Sequence, residues 1–277
     1  MDKPVGPTSH DVVAAARRAL GLRAVGHAGT LDPFATGLLI LVIGPATRMA
    51  RLVEPYQKGY RAEAVLGVTT DTDDAEGQVV TEQAMDQWPD QAAVEAVLDG
   101  FRGEQLQRPP AFSARRVEGQ RAYRIARAGK PVALPPTPVM VHRLELLGWN
   151  PPVLTFEADV SAGTYIRALG RDIGERLGLG GHLRALRRTR IGPHQVEAAI
   201  PWAELVPGLT PMPPETMVPD LPRIALSESE RDDVGHGRSV WRDAAHGEAG
   251  LLWQGRLVAV AEGQGDRWHP RLVLEPL

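Results

Sequence analysis

The length and composition of the chain limit the classes of protein to which it can belong. Its 277 residues are 43% apolar and 23% charged, which is typical of a globular protein with one large domain, alone or with a small companion. The absence of cysteine excludes disulfides, thiol nucleophiles and cysteine-ligated metals, and we expect a cytoplasmic protein. No apolar run is long enough to span a membrane, so we expect no membrane association.

Charge is segregated along a chain whose net charge is only −3. Residues 71–99 carry nine acidic side chains and no Lys or Arg, whereas residues 102–127 and 167–190 each carry seven Arg against two acids. Arginine suits phosphate contacts and base stacking, although a GC-rich genome would also favour Arg over Lys. The clustering itself predicts that the two basic regions face nucleic-acid phosphates and that the acidic stretch faces away.

The predicted elements alternate between helix and strand without a βαβ repeat. The first is a helix from Thr8 or Ser9 to Leu20, capped by a hydroxyl and ended by Gly21. A glycine-rich loop and a buried strand from Leu38 to Ile43 follow. Further strands are predicted at 60–68, 139–147 and 153–160, and further helices at 90–99, 121–128 and 165–177. This order predicts an α+β fold around a mostly antiparallel mixed sheet.

A proline-rich segment divides the chain into two parts. Six prolines between residues 207 and 222 exclude a continuous helix or central strand, which predicts a linker. It follows a domain at 1–206 and precedes a small β-rich module at 223–277, with strands at 250–253 and 256–262 joined through Gly255.

Asp32 is the first candidate for chemistry. By residue type alone, an Asp beside Pro33 in a glycine-rich loop is usually a turn residue, and His27 usually caps a loop. The glycines of this loop, however, allow a ligand to approach the backbone, and Pro33 restricts Asp32 to an extended conformation. A strand follows at once, so we interpret the loop as holding one carboxylate at the edge of a sheet.

Two further charged segments have simpler interpretations. The acidic segment 71–77 resembles a calcium loop at first, but Ala75 and Glu76 stand where a ligand and a glycine are needed, so a solvated turn is favoured. Arg167 lies in the first turn of a predicted helix, where the macrodipole disfavours a cation. It should therefore have an acidic partner or an anionic ligand. Tyr165 belongs to the apolar face of that helix.

Several motifs, in this order, resemble the TruB-type tRNA pseudouridine synthases from Lys3 to about Pro201. They are Lys3-Pro4-Val5-Gly6-Pro7-Thr8-Ser9, the loop 26–33 continued by Ala35-Thr36-Gly37-Leu38-Leu39, Lys58-Gly59-Tyr60-Arg61, Thr70-Asp71-Thr72-Asp73, Pro109-Pro110-Ala111-Phe112-Ser113-Ala114, Gly119-Gln120-Arg121-Ala122-Tyr123 and Gly163-Thr164-Tyr165-Ile166-Arg167. The tail is similar to a PUA-type RNA-binding module. The resemblance therefore implies a pseudouridine-synthase-like catalytic domain with a PUA-like domain behind it.

The resemblance implies an isomerase that converts a T-loop uridine, position 55 of tRNA, without metal, nucleotide or redox cofactor. Asp32 matches the family's aspartate, acting as nucleophile toward C1′, as the base that starts elimination to a glycal, or as nucleophile toward uracil C6. Arg167 matches its arginine partner, which should lower the pKa of Asp32 by roughly 1–3 units. Tyr60 matches the tyrosine that stacks on the target base and assists proton removal from C5.

The expected partner is the T-arm stem-loop of tRNA, bound by a monomer without protein partners. His27 matches a residue that fills the space of the flipped base, and Lys3 and Tyr165 are expected at the RNA. An insertion at about 102–137 should close over the stem, with Arg121, Arg124 and Arg127 on phosphates.

Two other functions remain open. A non-catalytic tRNA-binding or tRNA-folding protein would need the basic regions but not Asp32, Tyr60 and Arg167 together. A sugar hydrolase would need two carboxylates in one cleft.

Overall fold

A computed structural model describes residues 1–113, 116–117, 120–121, 125, 134–243 and 246–275. The α-helices are α1 (Ser9–Leu20), α2 (Ala50–Val53), α3 (Gln91–Asp99), α4 (Ile166–Arg176) and α5 (Glu228–Gly235), and 3-10 helices span Gly44–Met49, Val196–Ala198, Trp202–Glu204 and Pro214–Met217. The strands are β1 (Asp2–Lys3), β2 (Val25–Ala28), β3 (Thr36–Leu38), β4 (Ile40–Ile43), β5 (Lys58–Leu66), β6 (Val68–Thr70), β7 (Val79–Glu82), β8 (Gly103–Gln107), β9 (Arg116–Val117), β10 (Gln120–Arg121), β11 (Thr137–Asn150), β12 (Val153–Val160), β13 (Gly181–Ile191), β14 (His194–Gln195), β15 (Arg223–Ala225), β16 (Val240–Trp241), β17 (Gly247–Trp253), β18 (Arg256–Gln264) and β19 (Arg267–Val273). None of the helices within these ranges is long and apolar enough to cross a membrane.

An eight-stranded sheet organises the N-terminal part of the chain. Seven of its strands follow the order β1-β3-β13-β5-β12-β11-β8, and β14 pairs with β13. Every pairing is antiparallel except that of β13 with β3. The predicted mostly antiparallel mixed sheet is confirmed.

One face of this sheet carries the main apolar core. Strands β5 and β12 alternate buried and more exposed residues along their length, and α3 and α4 cover the buried side. Glycines let helix α4 approach β13 closely: a Cβ at Gly170 would stand 2.7 Å from the side chain of Leu183 on that strand, and one at Gly174 would stand 2.3 Å from the carbonyl oxygen of Gly180 just before it. This packing holds α4, the helix that carries Arg167, against the sheet.

The opposite face of the sheet is covered by ion pairs between neighbouring strands. The guanidinium of Arg184 lies 2.7 Å from Glu63, that of Arg187 lies 2.7 Å from Asp2, and that of Arg190 lies 2.7 Å from Asp159. The predicted role of the 167–190 arginines as a phosphate-facing cluster is therefore wrong for these three. The basic run in the sequence arises because the outward positions of β13 are arginines whose carboxylate partners come from segments distant in the sequence.

The C-terminal part forms a second sheet of five strands in the order β15-β17-β18-β19-β16. This sheet-rich part is consistent with a PUA-like domain, and the strands predicted around Gly255 are confirmed. The proline-rich segment is an ordered strap, since Val218 is buried in a cluster with Met49 of the first part and Leu257 and Leu272 of the second. The boundaries 1–206, 207–222 and 223–277 stay a prediction.

Most of the local predictions hold, with differences that have physical causes. Helix α1 begins after a capping box at Thr8 and ends at a left-handed Gly21, as predicted. The predicted strand 38–43 is two strands in different sheets, because the N–H of Leu39 between them donates to the carbonyl of Met1. The predicted helix 121–128 begins at a residue that the structure places in β10, and nearly all the rest lies outside the described residues.

Candidate active site

The loop that carries Asp32 is held by hydrogen bonds along its whole backbone. All five carbonyls from Gly29 to Pro33 accept a hydrogen bond from a described group. The donors are Arg188 to Gly29 and Thr30, the Ser9 hydroxyl to Leu31, the Ala35 N–H to Asp32, and both Lys3 Nζ and the Gly6 N–H to Pro33. Such a loop presents its carboxylate in one fixed geometry.

The Asp32 carboxylate forms an ion pair with Arg167. Arg167 Nε lies 3.0 Å from Asp32 Oδ2, and its Nη2 lies 3.4 Å from Oδ1. The arginine side chain is 6% exposed and the aspartate side chain 36%. The carboxylate is therefore held by a buried guanidinium and is still accessible from solvent. The predicted acidic partner of Arg167 is therefore confirmed.

Asp74 holds Arg167 from the other side. Its Oδ2 lies 3.1 Å from Arg167 Nη1, which also donates to the carbonyl of Thr72 at 2.8 Å, and Arg167 Nη2 donates to the carbonyl of Phe112 at 2.8 Å. Together with the two contacts to Asp32, these bonds match the five N–H donors of a guanidinium. Arg167 is thus fixed in one orientation toward Asp32.

The interpretation of segment 71–77 as a solvated turn is wrong at its centre. Asp74 is 4% exposed and accepts from the Thr72 hydroxyl at 2.6 Å and the Glu76 N–H at 3.1 Å. Asp73 pairs with Arg171 at 2.8 Å. No local signal distinguished these buried acids from an exposed turn, because their partners lie more than 90 residues away in α4.

The pKa of Asp32 is raised, contrary to the predicted lowering. Burial is the largest effect and raises it, the charge of Arg167 opposes this, and Asp74 adds to the increase. Lys3 lowers the pKa of Asp32 through its positive charge. The cost of burying the carboxylate therefore exceeds the stabilisation from the guanidinium.

We expect this raised pKa to appear in the acid limb of turnover. If the Asp32 carboxylate reacts as an anion, kcat/KM should fall to half at a pH above the 3.8 of an ordinary aspartate. Lys3→Met removes a charge that favours the anion, so it should move the limb to higher pH. Asp172→Asn is the control: it removes another carboxyl whose pKa is raised, mainly by burial, but whose charged neighbours are Arg171, Glu175 and Arg108 rather than Asp32, so it should leave the limb in place. A wild-type midpoint at or below 3.8 would contradict the assignment.

Tyr60 lies on β5 in the apolar cluster that also contains Leu31 and Phe34, the two residues on either side of the Asp32–Pro33 pair. It is 8% exposed. The structure therefore brings Tyr60 and the Asp32 loop to the same face of the sheet.

Tyr165 and His27 border the site in different ways. Tyr165 precedes α4, and its backbone N–H and C=O both bond the side chain of the buried Gln107 on β8, at 2.8 and 3.0 Å. Gln107 thus fixes the start of the helix that carries Arg167.

His27 is on β2, half-buried, with its ring edge-on to that of His10. Its pKa is lowered, mainly by burial, and its Nδ1 is buried without a hydrogen-bond partner in the described structure.

The remaining predicted RNA contacts fare differently. Lys3 is fully buried, with its Nζ on the carbonyls of Pro4 and Pro33, so the prediction that it contacts RNA is wrong in this structure. Its pKa is lowered to about 8, mainly by burial. Arg121 is described only as a backbone position in β10, and Arg124 and Arg127 lie outside the described residues, so their phosphate contacts stay predictions.

Comparisons with known proteins agree with this fold and site. Residues 17–166 match the N-terminal domain of the TruB family pseudouridylate synthases, and residues 167–209 match the tRNA pseudouridylate synthase B C-terminal domain. The chain is 44% identical to tRNA pseudouridine synthase B of Thermobifida fusca and 43% identical to that of Parasynechococcus marenigrum, in both cases over 99% of this chain and 96% of the relative.

Solved structures give the same result. A chain of the archaeal box H/ACA sRNP Nop10–Cbf5 complex superposes with a TM-score of 0.72 at 26% identity, covering 99% of this chain and 85% of that one. A chain of an H/ACA RNP bound to a substrate RNA containing 2′-deoxyuridine gives a TM-score of 0.73 at 26% identity, covering 99% and 84%. Fold, site and comparisons together define a tRNA pseudouridine synthase, an isomerase. The chain belongs to the TruB family.

Proposed function

We propose that the protein isomerises uridine 55 in the T-loop of tRNA to pseudouridine, with Asp32, Arg167 and Tyr60 at the reacting nucleotide. The carboxylate of Asp32 starts cleavage of the glycosidic bond, the detached uracil turns in the pocket, and C5 then bonds to C1′ as its proton is removed. The observation that carries the proposal is the pairing of a solvent-accessible carboxylate, Asp32, with the buried guanidinium of Arg167, on a loop whose carbonyls from Gly29 to Pro33 all accept hydrogen bonds.

Each residue has a task that follows from its surroundings. Asp32 acts as nucleophile toward C1′, as the base that starts elimination to a glycal, or as nucleophile toward C6. Arg167 orients the carboxylate and keeps its charge balanced. Tyr60 stacks on uracil and assists the loss of the C5 proton, and His27 fills the space left by the flipped base.

The two rival functions are less well supported. A sugar hydrolase would need a second free carboxylate in the cleft, and Asp74, the one paired to the same guanidinium, is 6% exposed and already bonded to Arg167, Thr72 and Glu76. A non-catalytic tRNA-binding protein would have no need of an accessible carboxylate paired to a buried guanidinium.

The test of the proposed function is direct. Unmodified tRNA transcripts are incubated with the protein, and pseudouridine is mapped at single-nucleotide resolution. We expect one product at position 55, and none in a transcript with cytidine there. Binding without any product would favour the non-catalytic protein, and product at other sites only would overturn the T-loop assignment.

The phosphate-binding surface must be sought outside β13, since its outward arginines are paired. Arg17, Arg18 and Arg23 offer such a surface at the end of α1. Their side chains lie around a shallow depression of about 450 Å³, and none of the three has a carboxylate partner in the described parts of the chain. Arg17 also donates to the carbonyl of Val25, at the start of the strand that carries His27. We therefore place phosphate contacts here.

We expect the triple variant Arg17→Ala, Arg18→Ala, Arg23→Ala to weaken binding of a T-arm stem-loop and to reduce the salt dependence of its affinity. The slope of log K against log salt should become shallower by up to about 3, at roughly 0.7–0.9 per phosphate. The rate at saturating RNA should change little. The matched control replaces Arg184, Arg187 and Arg190 by Ala and should keep the slope. An unchanged slope in the Arg17, Arg18 and Arg23 variant would show that this surface is assigned wrongly.

A further inference from the structure

Arg188 is the largest side chain that is almost completely buried, at 1% exposure. Burying an ion is costly unless its charge is compensated. Within the described residues its hydrogen-bond partners are carbonyls and no carboxylate forms an ion pair with it. Its neighbours include another cation, Lys58, whose pKa is lowered mainly by burial and further by the charge of Arg188. Its charge must therefore be compensated by the groups to which its N–H donors point.

Those groups are backbone carbonyls of the loop that carries Asp32. Arg188 Nε donates to Leu38 at 2.8 Å, Nη2 to Gly29 at 2.9 Å and Nη1 to Thr30 at 3.3 Å. Gly29 and Thr30 precede Asp32, and Leu38 follows it. A single rigid guanidinium thus joins the beginning and the end of the loop.

The backbone of Arg188 places this contact between two parts of the site. Along the sheet, Arg188 is paired with Gly37 on one side and with Tyr60 on the other. Laterally paired residues project to the same face of a sheet, so the arginine side chain and the Tyr60 ring share a face. At Gly37 the strands are so close that a Cβ would lie 2.3 Å from the Arg188 carbonyl oxygen, and its φ of 101° also favours glycine.

We propose that Arg188 is a positioning residue for the isomerisation: its guanidinium ties both ends of the Asp32 loop to β13 and so sets the carboxylate against the base held by Tyr60. The inference rests on the proposed function of Asp32 and Tyr60. Arg188 itself touches no substrate. Its effect is geometric, because the charges that govern the Asp32 pKa are those of Arg167, Asp74 and Lys3.

The test uses Arg188→Lys, which keeps a positive charge but not the planar fork. A misplacement of about 1 Å can cost about 10²-fold in rate. We expect the single-turnover rate at saturating tRNA to fall by about 10- to 100-fold. KM should stay within about threefold, and the acid limb should keep its midpoint. The matched control is Arg184→Lys, on the same strand but ion-paired to Glu63 on the opposite face of the sheet, which should behave as wild type.

Two further measurements decide between positioning and general stability. Hydrogen exchange of Arg188→Lys should be faster in residues 29–38 and unchanged in β5. Ser9→Ala removes the hydroxyl that bonds both the N–H and the C=O of Leu31, so it loosens the same loop without altering β13, and it should also lower the rate but not the affinity.

The outcomes are distinguishable. A normal rate for Arg188→Lys, a rate loss matched by an equal loss of affinity, or a shifted acid limb would overturn the proposal. If Arg188→Lys does not fold, a normal rate for Ser9→Ala would overturn it. Wild-type protein that forms no pseudouridine would refute the proposed function instead.

Discussion

Asp32→Asn is expected to abolish pseudouridine formation while the protein folds and binds tRNA normally. An amide is neither a nucleophile toward C1′ or C6 nor a base, so each of the three routes loses its first step. The side chain keeps its size, and its oxygen still accepts from Arg167, so the loop contacts should persist. The measurement is single-turnover product formation with saturating T-arm RNA, followed by affinity and thermal unfolding of the same variant.

The matched control is Asp159→Asn. That aspartate is also ion-paired to an arginine, Arg190, but it lies on the face of the sheet opposite the apolar core. We expect wild-type turnover from it. If Asp32→Asn kept substantial activity, the carboxylate would not be the group that starts the reaction, and the assignment of the whole site would fail.

The local structure of the chain was largely predictable because its signals are local. Helix α1 has a capping box at one end and glycine at the other, within a few residues of each other. The alternation in β12 needs only eight residues to be seen. Strand β13 was not predicted because it carries arginines at positions that pair with Asp2, Glu63 and Asp159. Those partners are brought together only by the sheet.

The site divides in the same way. The motifs placed Asp32, Tyr60 and Arg167 in sequence, and the structure joins Asp32 to Arg167 across 135 residues. The buried groups behind them were not predicted. In the sequence, Asp74 belongs to an acidic segment that is typical of a solvated turn. Arg188 belongs to a basic segment that is typical of a phosphate-binding surface. Each is buried by contacts with segments distant in sequence, so residue type and spacing alone indicated the wrong environment.

The direction of a pKa shift was similarly hard to predict from the neighbours of the group in the sequence. A guanidinium beside Asp32 predicts a lowered pKa, but the packed surroundings of the loop have the larger effect. Depth of burial is a property of the folded chain, whereas the arginine partner could be identified from a motif. The same distinction explains Lys3, whose charge suggested an RNA contact and whose ammonium lies instead beneath the Asp32 loop.

Tyr60→Phe separates the two tasks assigned to the base-stacking residue. The ring, its apolar packing and therefore tRNA affinity should be kept, because Tyr60 lies in the core cluster with Leu31 and Phe34. The hydroxyl is lost. If it relays the C5 proton, the single-turnover rate falls by about 10²–10⁴-fold, the range of general acid–base catalysis. Product that accumulates slowly but completely would fit this expectation.

Two variants complete this experiment. Tyr60→Leu should lose stacking as well as proton transfer, so its affinity for T-arm RNA should fall together with its rate. Tyr56→Phe, a half-buried tyrosine just before β5, should have no effect and controls for the loss of a hydroxyl elsewhere. A wild-type rate from Tyr60→Phe would assign the C5 proton to another base and leave Tyr60 the stacking role alone. The carboxylate of Asp32 would then be the first candidate for that base, since it is accessible from solvent and lies at the reacting nucleotide in the proposed function.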